Sequence, residues 1–177
     1  MERRSWWRSN AVALAALVVV LPATVAVTTV NEWSASSSGQ PSMVVAVEPG
    51  GQASYSGATW SDARLAPRSD GSDLGIPPGT KLLVVTIDVD FEPGDPPSCT
   101  LTLSETTGQQ RRWQSADSDL VDWATTEGMT SYCPSDAIGP YTVEVPFVLP
   151  DDAREPFTID VVDGDQLPRF LRFGFGD

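Results

Sequence analysis

Two groups of carboxylates are the side chains whose type and spacing could do chemistry. Asp88, Asp90, Glu92 and Asp95 form the first; Asp117, Asp119, Asp122 and Glu127 form the second. Closely spaced oxygen ligands suit Ca²⁺, and a carboxylate pair can serve as acid and base in glycoside hydrolysis. Each reading has a plainer competitor. The string DVDFEPGD lacks the glycine position and distal glutamate of a helix-loop-helix calcium site. Alternating acids along a strand are ordinary solvated surface. The second group reads as an acidic loop that could wrap an ion. Glycosidases need a cleft in a larger scaffold. The sequence has no histidine, which removes Ser-His-Asp and Cys-His catalysis and His-liganded metal sites. Lys81, the lone lysine, opens a strand after Pro78-Gly79, a poor place for a buried base. There is no phosphate-cradling glycine loop. No catalytic residue, metal site or cofactor is assigned on these grounds, and the expectation is a protein that is not an enzyme.

The elements that position these groups begin with an apolar run. Ala11 to Val30 is uncharged, and its length matches a hydrocarbon core of about 30 Å. Arg3, Arg4 and Arg8 precede it, and no Lys or Arg follows until Arg64. The positive-inside rule then predicts a single-pass membrane protein with a cytoplasmic N-terminus and an extracytoplasmic C-terminal domain. Trp6, Trp7 and Trp33 flank the run as interfacial aromatics do, and Pro22 is tolerated in a span. The alternative is a cleaved signal and a secreted domain. Thr24-Val25-Ala26 is a passable cleavage sequence, but it lies inside the apolar run. The predicted organisation is a basic N-terminus over 1–10, a transmembrane helix over 11–30, a linker over 31–42 and a β domain over 43–177. Ser34 to Ser42 (SASSSGQPS) reads as a flexible tether.

Net charge is −13, and acids dominate the region after the span. Such a surface repels nucleic acid and anionic headgroups, so no nucleic-acid partner is expected. Cys99 and Cys133 are the two cysteines, both beyond the span. An even pair in an oxidising compartment reads as a disulfide.

Period-two alternation dominates from Met43 onward. In Lys81 to Phe91, Leu83, Val85, Ile87, Val89 and Phe91 fall on one face; Thr86, Asp88 and Asp90 fall on the other. Cys99 to Leu103, Tyr141 to Leu149 and Phe157 to Val161 repeat the pattern, and FLRFGF suggests a closing strand. Weaker strands are expected over Met43 to Val47, Gln52 to Tyr55, Ala58 to Ala66 and Gln110 to Gln114. Gly/Pro clusters punctuate them. Short strands at this spacing predict an all-β fold, an antiparallel sandwich.

The order GATWSDARLAP, GTKLLVVTIDVDFEPGDPPSCTLTL, a G-Q-Q-R-R-W strand and VPFVLPDDAREPFTIDVV resembles the telokin-like, immunoglobulin-type sandwiches. These are attached to lipoproteins and membrane anchors in Gram-positive bacteria, and secreted mycobacterial immunoprotective antigens have a similar fold. The short Trp/Arg start before an apolar helix resembles a group of actinobacterial membrane proteins. The resemblance covers roughly Met43 to Phe175. It implies an immunoglobulin-like sandwich and transfers no catalytic residue.

The irregular stretch Ser115 to Pro140 is long for a compact domain, and such loops are often functional. A binding surface is expected there, with Trp123 as aromatic anchor and Asp117, Asp119 and Asp122 as its polar rim. A basic protein or an amine-bearing envelope polymer is the partner that charge favours. The competing reading has Trp123 folded inward over a sheet edge. Trp60 and Trp113 sit in strand patterns and read as core or sheet cover. The function predicted is a non-catalytic binding or scaffolding module. A calcium-dependent envelope protein and a carboxylate hydrolase are the alternatives.

Overall fold

A strand with every second side chain apolar hides one face, and the strand holding Lys81 to Phe91 is the backbone of this domain. The computed structural model describes residues 3–68, 75–116 and 121–176. The chain divides into two units, Met1–Gln40 and Pro41–Asp177.

The first unit is one helix, α1 (Arg3–Ser38), with Pro22 inside it. In the apolar stretch Asn10–Ser34 no residue of the most apolar window is buried. Its 25 residues reach about 37 Å, enough to cross a bilayer with some tilt. By length and composition it is a membrane span or a signal sequence. Thr24 Oγ1 donates to Val20 O (2.8 Å) and Thr28 Oγ1 to Thr24 O (3.0 Å). Those hydroxyls are satisfied within the helix itself, so they suit an apolar surrounding. The helix runs through Ser38, so the expected tether from Ser34 is shorter than the sequence suggested. Adding a residue to an existing helix is cheap even for serine, and Gly39 and Pro41 stop it.

The second unit is two five-stranded mixed sheets over one core. The strands are β1 (Met43–Val47), β2 (Ala53–Tyr55), β3 (Ala58–Pro67), β4 (Thr80–Phe91), β5 (Thr100–Glu105), β6 (Arg112–Gln114), β7 (Met129–Thr130), β8 (Tyr141–Pro150), β9 (Phe157–Val162) and β10 (Arg169–Phe175). One sheet has the order β1-β10-β9-β5-β6, the other β2-β3-β4-β8-β7. The purely antiparallel arrangement expected from sequence is corrected at two places: β1 runs parallel to β10, and β7 parallel to β8. Parallel neighbours need a crossover between them. β1 and β10 are separated by nearly the whole domain, and the loop Ser131–Pro140 returns the chain between β7 and β8.

The inner face of β4 (Leu83, Val85, Ile87, Val89, Phe91) meets Val143, Val145, Phe147 and Leu149 of β8. Leu101, Leu103, Phe157, Ile159, Val161, Leu171 and Phe173 close the core from the other sheet. Trp60 on β3 is fully buried, its Nε1 donating to Tyr55 O (2.9 Å). The two-residue turn Ser56-Gly57 joins β2 and β3 with positive φ at both positions, a conformation glycine adopts freely and which matches the twist of a hairpin. Cys99, just before β5 in one sheet, is bonded to Cys133, just after β7 in the other (Cα–Cα 5.6 Å). The disulfide thus links the two sheets.

Register fixes two ends. Ser42 N and Met43 N both donate to Pro168 O as the chain comes into the domain. This proximal end also holds the Ser56-Gly57 turn, the end of β4, the start of β5, the β7–β8 loop and the β9–β10 turn. The distal end holds the β5–β6 turn and the β8–β9 turn.

Candidate functional site

The loop after β6 is laid against the outer face of β4 and β8. Ala116 N donates to Pro146 O (2.9 Å). Val121 is 1% exposed and packs with Leu82 and Val84, while Trp123, half-buried, joins Ile76, Ala116 and Val148 around them. The Arg68 guanidinium lies 5.0 Å over the Trp123 ring, a cation–π contact. Trp123 Nε1 is buried with no hydrogen-bond partner. Farther on, the Glu144 carboxylate, buried on β8, accepts from Thr126 N (2.7 Å) and Thr126 Oγ1 (2.9 Å). The loop is therefore tied at Ala116, at Thr126 and at Cys133. Of the expected binding residues, Asp122 is exposed and Trp123 is largely turned to the sheet. Asp117 and Asp119 lie outside the described residues.

The first carboxylate group is dispersed by its strand. Asp88 Oδ1 accepts from Thr142 Oγ1 (2.6 Å), while Asp90, Glu92 and Asp95 are exposed. Among the described residues, no three His, Cys, Asp or Glu side chains are grouped to hold a metal ion.

Among the described residues four acids are buried: Glu105, Glu144, Asp160 and Asp163. Glu105 accepts from Arg111 Nε (3.1 Å) and Nη2 (3.3 Å) and from Arg154 N (2.9 Å). The Arg111 guanidinium first, then the Arg154 amide, holds the Glu105 carboxyl below its ordinary range. Arg111 reaches on to Asp152 (2.8 Å). Asp160 takes both Arg172 Nε (2.6 Å) and Nη2 (2.8 Å), and that carboxylate raises the Arg172 guanidinium. Asp163 accepts from Asp165 N (3.0 Å) and from the Ser56 hydroxyl. Its own amide donates to Tyr55 Oη (3.0 Å), which donates in turn to Arg169 O (3.0 Å). Burial raises the Tyr55 hydroxyl, and it pushes the unpartnered Tyr141 hydroxyl up to about 12. Lys81 Nζ donates to Ala153 O (2.5 Å). These groups fasten strands and turns to each other.

A cleft of about 700 Å³ opens at the proximal end, with Tyr55, Ser56, Asp90, Glu92, Gln166 and Arg169 in its walls. That volume falls in the range of small-ligand sites. Carboxylates on one wall and a guanidinium on another suit a polar ligand carrying both signs of charge. The Ser56 hydroxyl, which touches a carboxylate, has no imidazole to take its proton. Sequence reasoning missed this cleft because its walls come from three separate turns and from β1. The S-G dipeptide at Ser56-Gly57 was the local signal available.

No family model, no curated protein and no solved structure matches this chain. Geometry and chemistry alone carry the functional reading.

Proposed function

We propose that the chain is a single-pass membrane protein, N-terminus in the cytoplasm, that presents a non-catalytic immunoglobulin-like binding or scaffolding domain outside the cell. The observation that carries the non-catalytic part is the use of the buried acids. Each of the four is held by a guanidinium, a backbone amide or a hydroxyl that fixes a loop or strand. General acid or base work needs a group free to exchange its proton with substrate. For the span, length, one-sided arginines and satisfied threonines argue together.

Strand order supports the immunoglobulin-like reading. In chain order, β3 to β10 form β3-β4-β8-β7 and β6-β5-β9-β10, the sequence of strands A-B-E-D and C′-C-F-G. The parallel β7–β8 pair and a disulfide outside strands B and F depart from that pattern. The partner favoured by charge is a basic protein or an amine-bearing envelope polymer, met by the exposed Asp122 and Glu127.

Three measurements test this. Protease added to intact spheroplasts should digest the β domain and spare an N-terminal tag; the opposite pattern overturns the topology. A photo-crosslinking residue at the exposed Glu127 in the membrane-embedded full chain should give a discrete adduct, lost when the exposed Asp122 is changed to Asn at unchanged melting temperature; the absence of any adduct overturns the partner reading. Hydrolytic turnover abolished by Asp90→Asn with Glu92→Gln would overturn the non-catalytic reading.

A further inference from the structure

Four large apolar side chains of the β domain are exposed among the described residues: Met43 at 58%, Val44 at 49%, Tyr132 at 64% and Ile138 at 88%. All four lie at the proximal end. Met43 and Val44 open β1, beside Arg169 and Phe170. Tyr132 adjoins Cys133, which is bonded to Cys99 at the start of β5. Ile138 precedes Tyr141, whose partner on β4 is Val89, near the strand's end. The distal turns, by contrast, expose Thr106, Thr107, Gly108, Asp151 and Asp152. Scattered surface hydrophobes are normal, but their confinement to one end is a pattern that calls for an apolar neighbour there.

We propose that the proximal end rests on the bilayer surface, with Ile138 and Tyr132 dipping into the interfacial region. This rests on the reading of α1 as an uncleaved anchor. Two observations select lipid as the occupant. Only Gly39–Ser42 separates the end of α1 from β1, so full extension gives about 14 Å of play. A contact held by so short a tether is effectively intramolecular, and even a small apolar patch then sets orientation. Second, the chemistry fits an interface: tyrosine presents an apolar body and a polar tip, the property that places it at headgroup depth. The disulfide and the turn hydrogen bond from Ala137 N to Pro134 O (3.3 Å) shape the loop that carries both side chains. Glu92, Asp95, Asp136 and Asp165 are exposed at the same end. The docked state is therefore shallow and is weakened by anionic lipid.

The test uses the full chain in nanodiscs of phosphatidylcholine. Ile138→Cys carries a nitroxide, and Thr107→Cys at the distal end is the control. Cys99 and Cys133 take no label because they are bonded to each other. Expected is a several-fold higher ratio of oxygen to nickel-chelate accessibility at 138 than at 107, falling when phosphatidylglycerol is added. Equal, water-like ratios at the two sites overturn the docking. Low accessibility to both reagents at 138 also overturns it, in favour of a protein neighbour such as a second copy. Retention of the same chain in membranes after a carbonate wash is scored in parallel. Loss of retention refutes the anchor itself; retention with a water-like label refutes only the docking.

Discussion

The two halves of β4 differ in what covers them. Toward the distal end Leu82 and Val84 face outward yet are buried, because the loop carrying Val121 and Trp123 lies over them. Toward the proximal end the same outer face carries Thr86, Asp88 and Asp90, progressively open to solvent. The inner face is apolar throughout. One strand is thus buried on both sides for half its length and on one side for the rest. A continuous apolar run marks the first condition and strict alternation the second. The string LLVVTIDVDF contains both in that order.

That contrast has consequences for stability. Phe147→Ala removes a fully buried ring from the inner side, and about 3–5 kcal/mol of stability should go with it. A single cooperative melt should shift as a whole. Opening the Cys99–Cys133 bond with paired Cys→Ser changes frees a 34-residue separation and should lower stability by ~3–4 kcal/mol in the chain-entropy model. On the outer side, Leu82→Ala should sit at the low end of such truncations, about 2 kcal/mol. Amide exchange should accelerate mainly around Ala116 and Trp123. If Leu82→Ala costs as much as Phe147→Ala, the outer cluster is part of the main core and the contrast fails.

Acid pH offers a smaller lever, acting away from β4. Ionised Glu105 stabilises the fold through Arg111 and Arg154, so its contribution is complete above the ordinary carboxylate range. It is lost as pH falls through the lowered folded-state value. Melting temperature should drop below about pH 4. Glu105→Gln should flatten that drop and be less stable at pH 7. Smallest of all, Asp90→Asn on the open half should change stability by no more than about 0.5 kcal/mol. A larger effect there would reveal an unrecognised partner for that carboxylate.

Much of this fold was legible in the chain. β1 spans Met43–Val47, the limits expected for it as a weaker strand, and β4, β8 and β9 came within two residues of their observed limits. The pairing Cys99–Cys133 followed from there being two cysteines. β7 was not found, since two residues carry no period. Glu144 between Val143 and Val145 reads as an outward acid. Only the loop folded over it explains its burial. The same loop converts Trp123 from an expected anchor into a residue largely turned to the sheet. Contacts between a loop and a distant strand face leave no local periodicity, which is why the site was less legible than the strands.

The parallel pairing of β1 with β10 sets an order of events. In the orientation proposed above, β1 reaches the outside first and waits beside the membrane, an uncharged strand whose partner is the last of the ten strands among the described residues. Contacts between such distant segments form slowly. The sheet carrying β1 therefore closes only once β10 has emerged. A chain halted part-way would hold a bare apolar edge at the membrane, the kind of template on which neighbouring chains aggregate or quality-control proteases act.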